Sequence, residues 1–280
     1  MPTVVEVVRC LQRLAPLELA ESWDNVGLLV GDSERPVQRI MTCLTLSPDV
    51  VDEAAREQVN LIVTHHPLMF RKIQRITADS PDGRVLLQLI ESKIAVYSSH
   101  TGYDSAAGGI NQQLSELLEL RDIAPLRPAE CTVPPHLANP EATELENFAA
   151  PLAGAGRYGT LKSPERLADF LERVKRTLSV TRLQYVGDDE MQIQRVAVAC
   201  GSAAEFATDA TQRGCDLLLT GESRFHSCLE GRTNGLAMIL TGHYASERFA
   251  MEQMARMLQE SFPDTRVWAS TNESDPIRWC

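Results

Sequence analysis

Leu61-Ile62-Val63-Thr64-His65-His66-Pro67 is an apolar run that breaks off, without a spacer, into two adjacent imidazoles and a proline. The run reads as a β-strand, and the histidines stand where it releases the chain. In open α/β folds, metal and catalytic groups gather at the carboxyl ends of parallel strands. Three later runs end in the same way. Ile94-Ala95-Val96-Tyr97 leads into Ser98-Ser99-His100 and Asp104, Asp216 to Thr220 leads into Gly221-Glu222, and Leu236 to Thr241 leads into Gly242-His243 and Glu247. Five of the six histidines lie in or just after these run ends, a concentration that scattered core histidines would not give.

Around these runs, strand and helix patterns alternate. Val4, Val7, Val8, Leu11 and Leu14 follow helical spacing, and Thr3 with Glu6 forms a capping box before them. Strands are expected at Val26 to Val30, Arg39 to Leu46, Leu61 to Thr64 and Ile94 to Tyr97, with helices from Ser47-Pro48 to about Gln58, Gly83 to Ser92 and Gly108 to Leu120. That alternation fits parallel crossover units, so the first ~125 residues read as a three-layer α/β lobe. From Pro125 to Pro140 periodicity fails and five prolines intervene, which reads as a linker. A second α/β lobe follows. It comprises a helix from Ser163-Pro164 to about Leu178, strands at Leu183 to Val186 and Ile193 to Cys200, a helix from Ala203 to Arg213, and the strands at 216–220 and 236–241. A long helix from Tyr244 to Ser261 and a strand from Arg266 to Ser270 close the chain. The fold class is α/β with two three-layer lobes, 1–125 joined by 240–280 and 126–239 including the proline-rich linker at 125–150, and with the metal site at strand carboxyl ends.

Composition narrows the function classes. With 44% apolar and 23% charged residues and no run of ~18 apolar residues, the chain has the profile of a soluble globular protein and no membrane partner. Its capping-box start differs from a signal-peptide head, so the expected compartment is the cytoplasm. Seven cysteines without a Cys-x-x-Cys pair, several inside apolar runs, read as reduced hydrophobes. A net charge of −11 argues against a nucleic-acid polymer as partner, because phosphate binding needs a positive field.

His65 and His66 would point to opposite faces of a regular strand, so they address one centre only if the backbone turns at Pro67; otherwise each holds a different metal of a close pair. An isolated His-His pair is more often a cap or core feature. His243 and Glu247 are four apart at the start of a helix whose stripe continues through Ala250, Met254 and Met257, so both face inward. An inward carboxylate calls for a metal or a cation as compensation. His100 and Asp104 add an imidazole and a carboxylate. The set is nitrogen and oxygen without thiolate, suiting zinc, iron, manganese, nickel or cobalt, and the carboxylates Asp104 and Glu247 carry enough charge for two divalent ions that activate a water. Glu222 and His226, also four apart, form a second acid/base candidate. Trp23-Asp24-Asn25 reads as a structural turn or as a cavity wall that binds substrate. The glycines from Gly154 to Gly159 read as a tight turn rather than a phosphate cradle, since no strand precedes them. His136, among prolines, reads as solvent-exposed.

Ser22-Trp23-Asp24-Asn25-Val26-Gly27-Leu28, Thr64-His65-His66-Pro67, Ser99-His100-Thr101 with Asp104, Gly154-x-Gly156-Arg157-x-Gly159, Thr220-Gly221-Glu222 with His226, and Gly242-His243-x-x-Ser246-Glu247 occur in this order along nearly the whole chain. The ordered set resembles the Nif-three-like dinuclear-metal proteins, also labelled GTP cyclohydrolase type 2 homologues. The resemblance implies two interlocked α/β lobes, a toroidal homohexamer and a two-metal centre facing its cavity. By motif position the metal ligands are His65, His66, Asp104, His243 and Glu247, with Glu247 as the bridge and His100 just outside the ligand set. It further implies hydrolysis of a small molecule, with a nucleotide such as GTP suggested by the family's label and His100 or Glu222 moving the proton. The competing reading is a non-catalytic ring that stores, delivers or senses metal, or docks a partner. The chain departs from the usual pattern at Gly102-Tyr103, at Cys200-Gly201-Ser202-Ala203 and from Arg121 to Pro151, all places that bear on substrate choice.

Overall fold

The computed structural model describes residues 1–70, 74–129 and 152–278. His136 and most of the proline-rich linker lie outside the described residues. The chain forms two compact units, Met1–Tyr103 with Arg248–Arg278, and Asp104–Glu247.

The first unit is built on a five-stranded sheet in the order Gly27–Val30, Ala95–Ser98, Leu61–Thr64, Arg39–Cys43, Arg266–Ala269. The last four run parallel and the first pairs antiparallel with Ala95–Ser98. Register places Met41 beside Ile62 and Ile62 beside Val96. These three pack with Val50, Val51 and Ala54 of the helix Pro48–Arg56 and with Val85 and Leu89 of the helix Pro81–Glu91. Their alternates Ile40, Leu61 and Val63 are equally buried, and Thr42 donates to the carbonyl of Met251 in the helix Phe249–Ser261. Both faces of the sheet are therefore covered, which is what continuous apolar strands require. The expected first helix is Val4–Leu14, with Glu6 accepting from the Thr3 amide at 2.7 Å.

In the second unit the sheet has six strands, ordered Arg121–Ala124, Arg157–Arg166, Gln192–Ala199, Leu217–Thr220, Ala237–Leu240, Gln184–Val186. Its three centre strands from Gln192 to Leu240 are parallel, and the flanking strands pair antiparallel. A core of Ala197, Leu218, Met238, Phe206 and Ala210 fills one side of it.

Several expectations are corrected. Ser163-Pro164 does not begin a helix: it lies in the strand Arg157–Arg166, and the helix runs from Leu167 to Leu178. Pairing passes from Glu165 opposite Ile193 to Thr160 opposite Arg195, so the proline occupies a bulge where no ladder amide is required. The expected helix from Tyr244 to Ser261 is two, His243–Glu247 and Phe249–Ser261. His100–Ser105, where no element is expected from the sequence, is a short helix. Arg121–Ala124 is a strand of the second sheet, as is Ala237–Leu240, so the units divide near 103 and 247 rather than at 125 and 240.

Candidate metal centre

In the first unit, the parallel strand Leu61–Thr64 ends directly before the two histidines. The amides of His65 and His66 donate to the successive carbonyls of Cys43 and Leu44 at 3.0 and 2.8 Å. Successive amides of a regular strand point opposite ways, so this pair shows the backbone turning out of the pleat. The two rings then stand side by side, with centroids 5.0 Å apart. Ser98 Oγ donates to the His65 carbonyl at 2.7 Å, and Thr45 Oγ1 lies 2.7 Å from His66 Nδ1. His100, two residues beyond the neighbouring strand Ala95–Ser98, brings its ring centroid to 5.1 Å from His65 and 5.6 Å from His66. One nitrogen from each of the three rings lies within 4.8 Å of the others. His65 is buried and the other two are half-buried. A buried imidazole with two more at this spacing is a donor set that fits a first-row divalent cation.

Behind His100 stands Asp24, whose side chain is fully buried. Its Oδ1 accepts from His100 Nδ1 at 2.8 Å and from the Asn25 amide at 2.8 Å. Oδ2 accepts from the Thr101 amide at 3.1 Å and from the Thr101 hydroxyl. Burial opposes ionisation of this carboxyl, but the hydrogen bonds from His100 and Thr101 outweigh it and bring the pKa down to about 2. Trp23 and Phe70, both well exposed, flank the same ring with centroids 6.1 and 6.2 Å from His100. Asn25 Nδ2 ties the two aromatic segments together by donating to the Met69 carbonyl at 2.7 Å.

The second unit gathers the carboxylates around the turn after Gln192–Ala199. His243 Nε2 lies 3.2 Å from Glu247 Oε2, and its Nδ1 lies 2.9 Å from Glu222 Oε1. The hydrogen bond and charge of buried Glu247, helped by Glu222, raise the His243 pKa to about 9 against the opposing effect of burial. A proton held there is one that a divalent ion would displace. Gly201 makes room for this pair: its φ is +67°, and a Cβ there would overlap Glu247 Oε1. Gly221 is equally constrained, since a Cβ would sit 2.6 Å from the Gly201 carbonyl and 2.7 Å from Ser246 Oγ. Cys200 Sγ lies 3.3 Å from Asp104 Oδ1, and burial together with the charges of Asp104 and Glu247 holds its thiol protonated. Buried Asn111 bridges the same turn, accepting from the Cys200 amide at 2.8 Å and donating to the Asp104 carbonyl at 3.1 Å.

The histidine trio thus assembles in one unit, and His243, Glu247, Glu222 and Asp104 cluster in the other. Glu222 is engaged by His243 rather than by His226, which is exposed with its ring against Phe225. The Gly154–Gly159 segment serves Arg157, a buried guanidinium whose Nη1 donates to the Gly154 and Gly156 carbonyls at 2.6 and 2.7 Å and whose Nη2 donates to Ala106 at 2.7 Å. That engagement accounts for the glycines as backbone geometry. Asp24, Thr45, Asn111 and Gly201 support the site residues and were not assigned to them from sequence. Asp24 and Gly201 lie in segments that the sequence singles out, but neither is linked there to its site partner, and His100 is 76 residues from Asp24.

The family described as Duf34/NIF3 (NGG1p interacting factor 3) matches residues 2–276 of the chain. A Clostridium acetobutylicum protein named GTP cyclohydrolase 1 type 2 homolog is 32% identical over 280 residues, covering 99% of this chain and 98% of its own. Among solved structures, a Bacillus cereus protein related to NIF3 superposes with a TM-score of 0.90 at 23% identity, covering 100% of both chains. A Staphylococcus aureus protein superposes at 0.87 with 25% identity, over 100% of this chain and 99% of its own.

Proposed function

The chain belongs to the Duf34/NIF3 family, and from that premise we propose that it is a metal-dependent hydrolase acting on a small molecule. The observation that carries this reading is the cluster of His65, His66 and His100, whose potential ligand nitrogens lie within 4.8 Å of one another beside a carboxylate-backed ring. In the proposal His65, His66, Asp104, His243 and Glu247 hold two divalent ions of zinc, iron, manganese, nickel or cobalt. Such ions, when bound, supply Lewis-acid activation of water and of an electrophilic carbon. His100 takes and returns the proton at Nε2, since Asp24 occupies Nδ1. Glu222, half-exposed and hydrogen-bonded to His243, is the second proton carrier. The name of the Clostridium acetobutylicum relative makes GTP the first substrate to try. Assembly as a homohexameric ring and residence in the cytoplasm complete the proposal; among the described residues no helix is long and apolar enough to cross a membrane.

The test is turnover of GTP, amides and phosphate esters by zinc-loaded protein and by its His100→Ala variant. The variant is expected to keep its metal and to lose about 100-fold or more in rate, the scale of general acid-base catalysis. A variant that loses metal in step with activity would make His100 a ligand. A loaded wild type that turns over none of these compounds would favour metal storage or delivery.

A further inference from the structure

We propose that Asp24 is a positioning residue that fixes the His100 ring in its Nδ1–H tautomer, leaving Nε2 as the basic nitrogen presented beside His65 and His66. The inference rests on the hydrolase reading for its purpose but on geometry for its content. An ionised carboxylate only accepts hydrogen bonds, so the 2.8 Å contact between Asp24 Oδ1 and His100 Nδ1 requires the proton on Nδ1. The carboxylate cannot turn away, because Oδ2 is fixed by the Thr101 amide and hydroxyl and Oδ1 also accepts from the Asn25 amide. Thr101 is itself held, its Oγ1 accepting from the Glu21 amide at 3.0 Å. Each oxygen of Asp24 thus has its own duty, one toward the start of the helix His100–Ser105 and one toward the ring.

The backbone adds an independent sign. His100 has φ of +22°, a conformation that side-chain-bearing residues rarely adopt and that persists only where surrounding bonds over-determine it. It begins the helix directly after Ser99 and so places its ring 5.1 and 5.6 Å from the two neighbouring imidazoles, edge-on to both. A carboxylate that orients a histidine through its other ring nitrogen is the recurrent device by which proteins set which nitrogen faces a metal or substrate. A plain helix cap would need only the contacts to Thr101. The bond to the ring is the surplus that a positioning role explains.

The measurement is the tautomer of His100, read from ring 15N chemical shifts of histidine-labelled, metal-free protein at a pH where the ring is neutral. Wild type is expected to show Nδ1–H with a basic Nε2. Asp24→Ala should lose that single tautomer, whereas Thr101→Val, which removes a hydroxyl bond to Oδ2 and spares the ring contact, should keep it. With zinc-loaded protein and GTP as probe, Asp24→Ala should retain its zinc and lose about 100-fold or more in kcat with KM little changed. A tautomer unchanged in Asp24→Ala, or lost equally in Thr101→Val, would overturn the proposal and reduce Asp24 to a helix cap. Should the wild type turn over neither GTP nor the amides and phosphate esters, the hydrolase reading fails while the tautomer measurement still decides this one.

Discussion

Gly201 shows how a backbone position can govern the carboxylate cluster of the second unit. A left-handed φ of +67° costs a side-chain-bearing residue about 1–2 kcal/mol, and here a Cβ would also overlap Glu247 Oε1. Gly201→Ala is therefore expected to destabilise the protein by about 1–3 kcal/mol and to weaken zinc binding, because the displaced group is a proposed ligand. Denaturant unfolding and zinc titration check this; a variant that binds zinc like wild type would show that Glu247 does not need its observed place. The candidate residues His65, His66, His243 and Glu247 were legible in the sequence because each follows an apolar run within a few positions. Asp24 was not assigned to His100, since nothing local links residues 76 apart. Gly201 stands out in the sequence only as part of the departure at Cys200-Gly201-Ser202-Ala203, although its conformation makes glycine the residue required there.

Glu53 does for an element what Gly201 does for a side chain. It projects from the helix Pro48–Arg56 and accepts from Ser270 Oγ at 2.6 Å, the Thr271 amide at 3.0 Å, the Asn272 amide at 2.9 Å and Trp268 Nε1 at 3.3 Å. One buried carboxylate thereby anchors the segment that follows the edge strand Arg266–Ala269. Burial raises its pKa, but the bonds from Ser270, Thr271 and Asn272 outweigh that and leave it below the ordinary value. A lowered folded-state pKa stabilises fully above the unfolded value of about 4.3, and the contribution is lost as pH falls through the lower folded value. Glu53→Gln should cost about 1–3 kcal/mol at pH 7, and its deficit relative to wild type should shrink below about pH 4. Urea unfolding at several pH values reads both, and a deficit constant down to pH 3 would contradict the assignment. Elements with an unbroken apolar pattern, such as Leu61–Thr64 and Val4–Leu14, were read at their observed places. Ser163-Pro164 misled because a serine-proline pair is a helix-start signal, and only the partner strand reveals the bulge that accommodates it. The short strand Arg121–Ala124 is half-exposed or exposed along its length and carries no apolar run to announce it.

At the scale of the molecule, alternating strand and helix patterns made the α/β class legible, while the division between units depended on which sheet Arg121–Ala124 joins, a non-local pairing. Assembly is a separate expectation. The proposed ring predicts a light-scattering mass about six times the 31.0 kDa chain, and a monomer at micromolar concentration would remove the enclosed cavity from the proposal. The central claim is that this chain holds two divalent ions through histidines and the carboxylates Asp104 and Glu247. Its most direct test is the zinc-to-protein ratio after loading and desalting, measured by elemental analysis on wild type and on Glu247→Ala. The account predicts about two zinc ions per wild-type chain and loss of most of them in the variant, since in the proposed site Glu247 would serve both ions. A wild type that retains no zinc, or a variant that still holds two per chain, would contradict it.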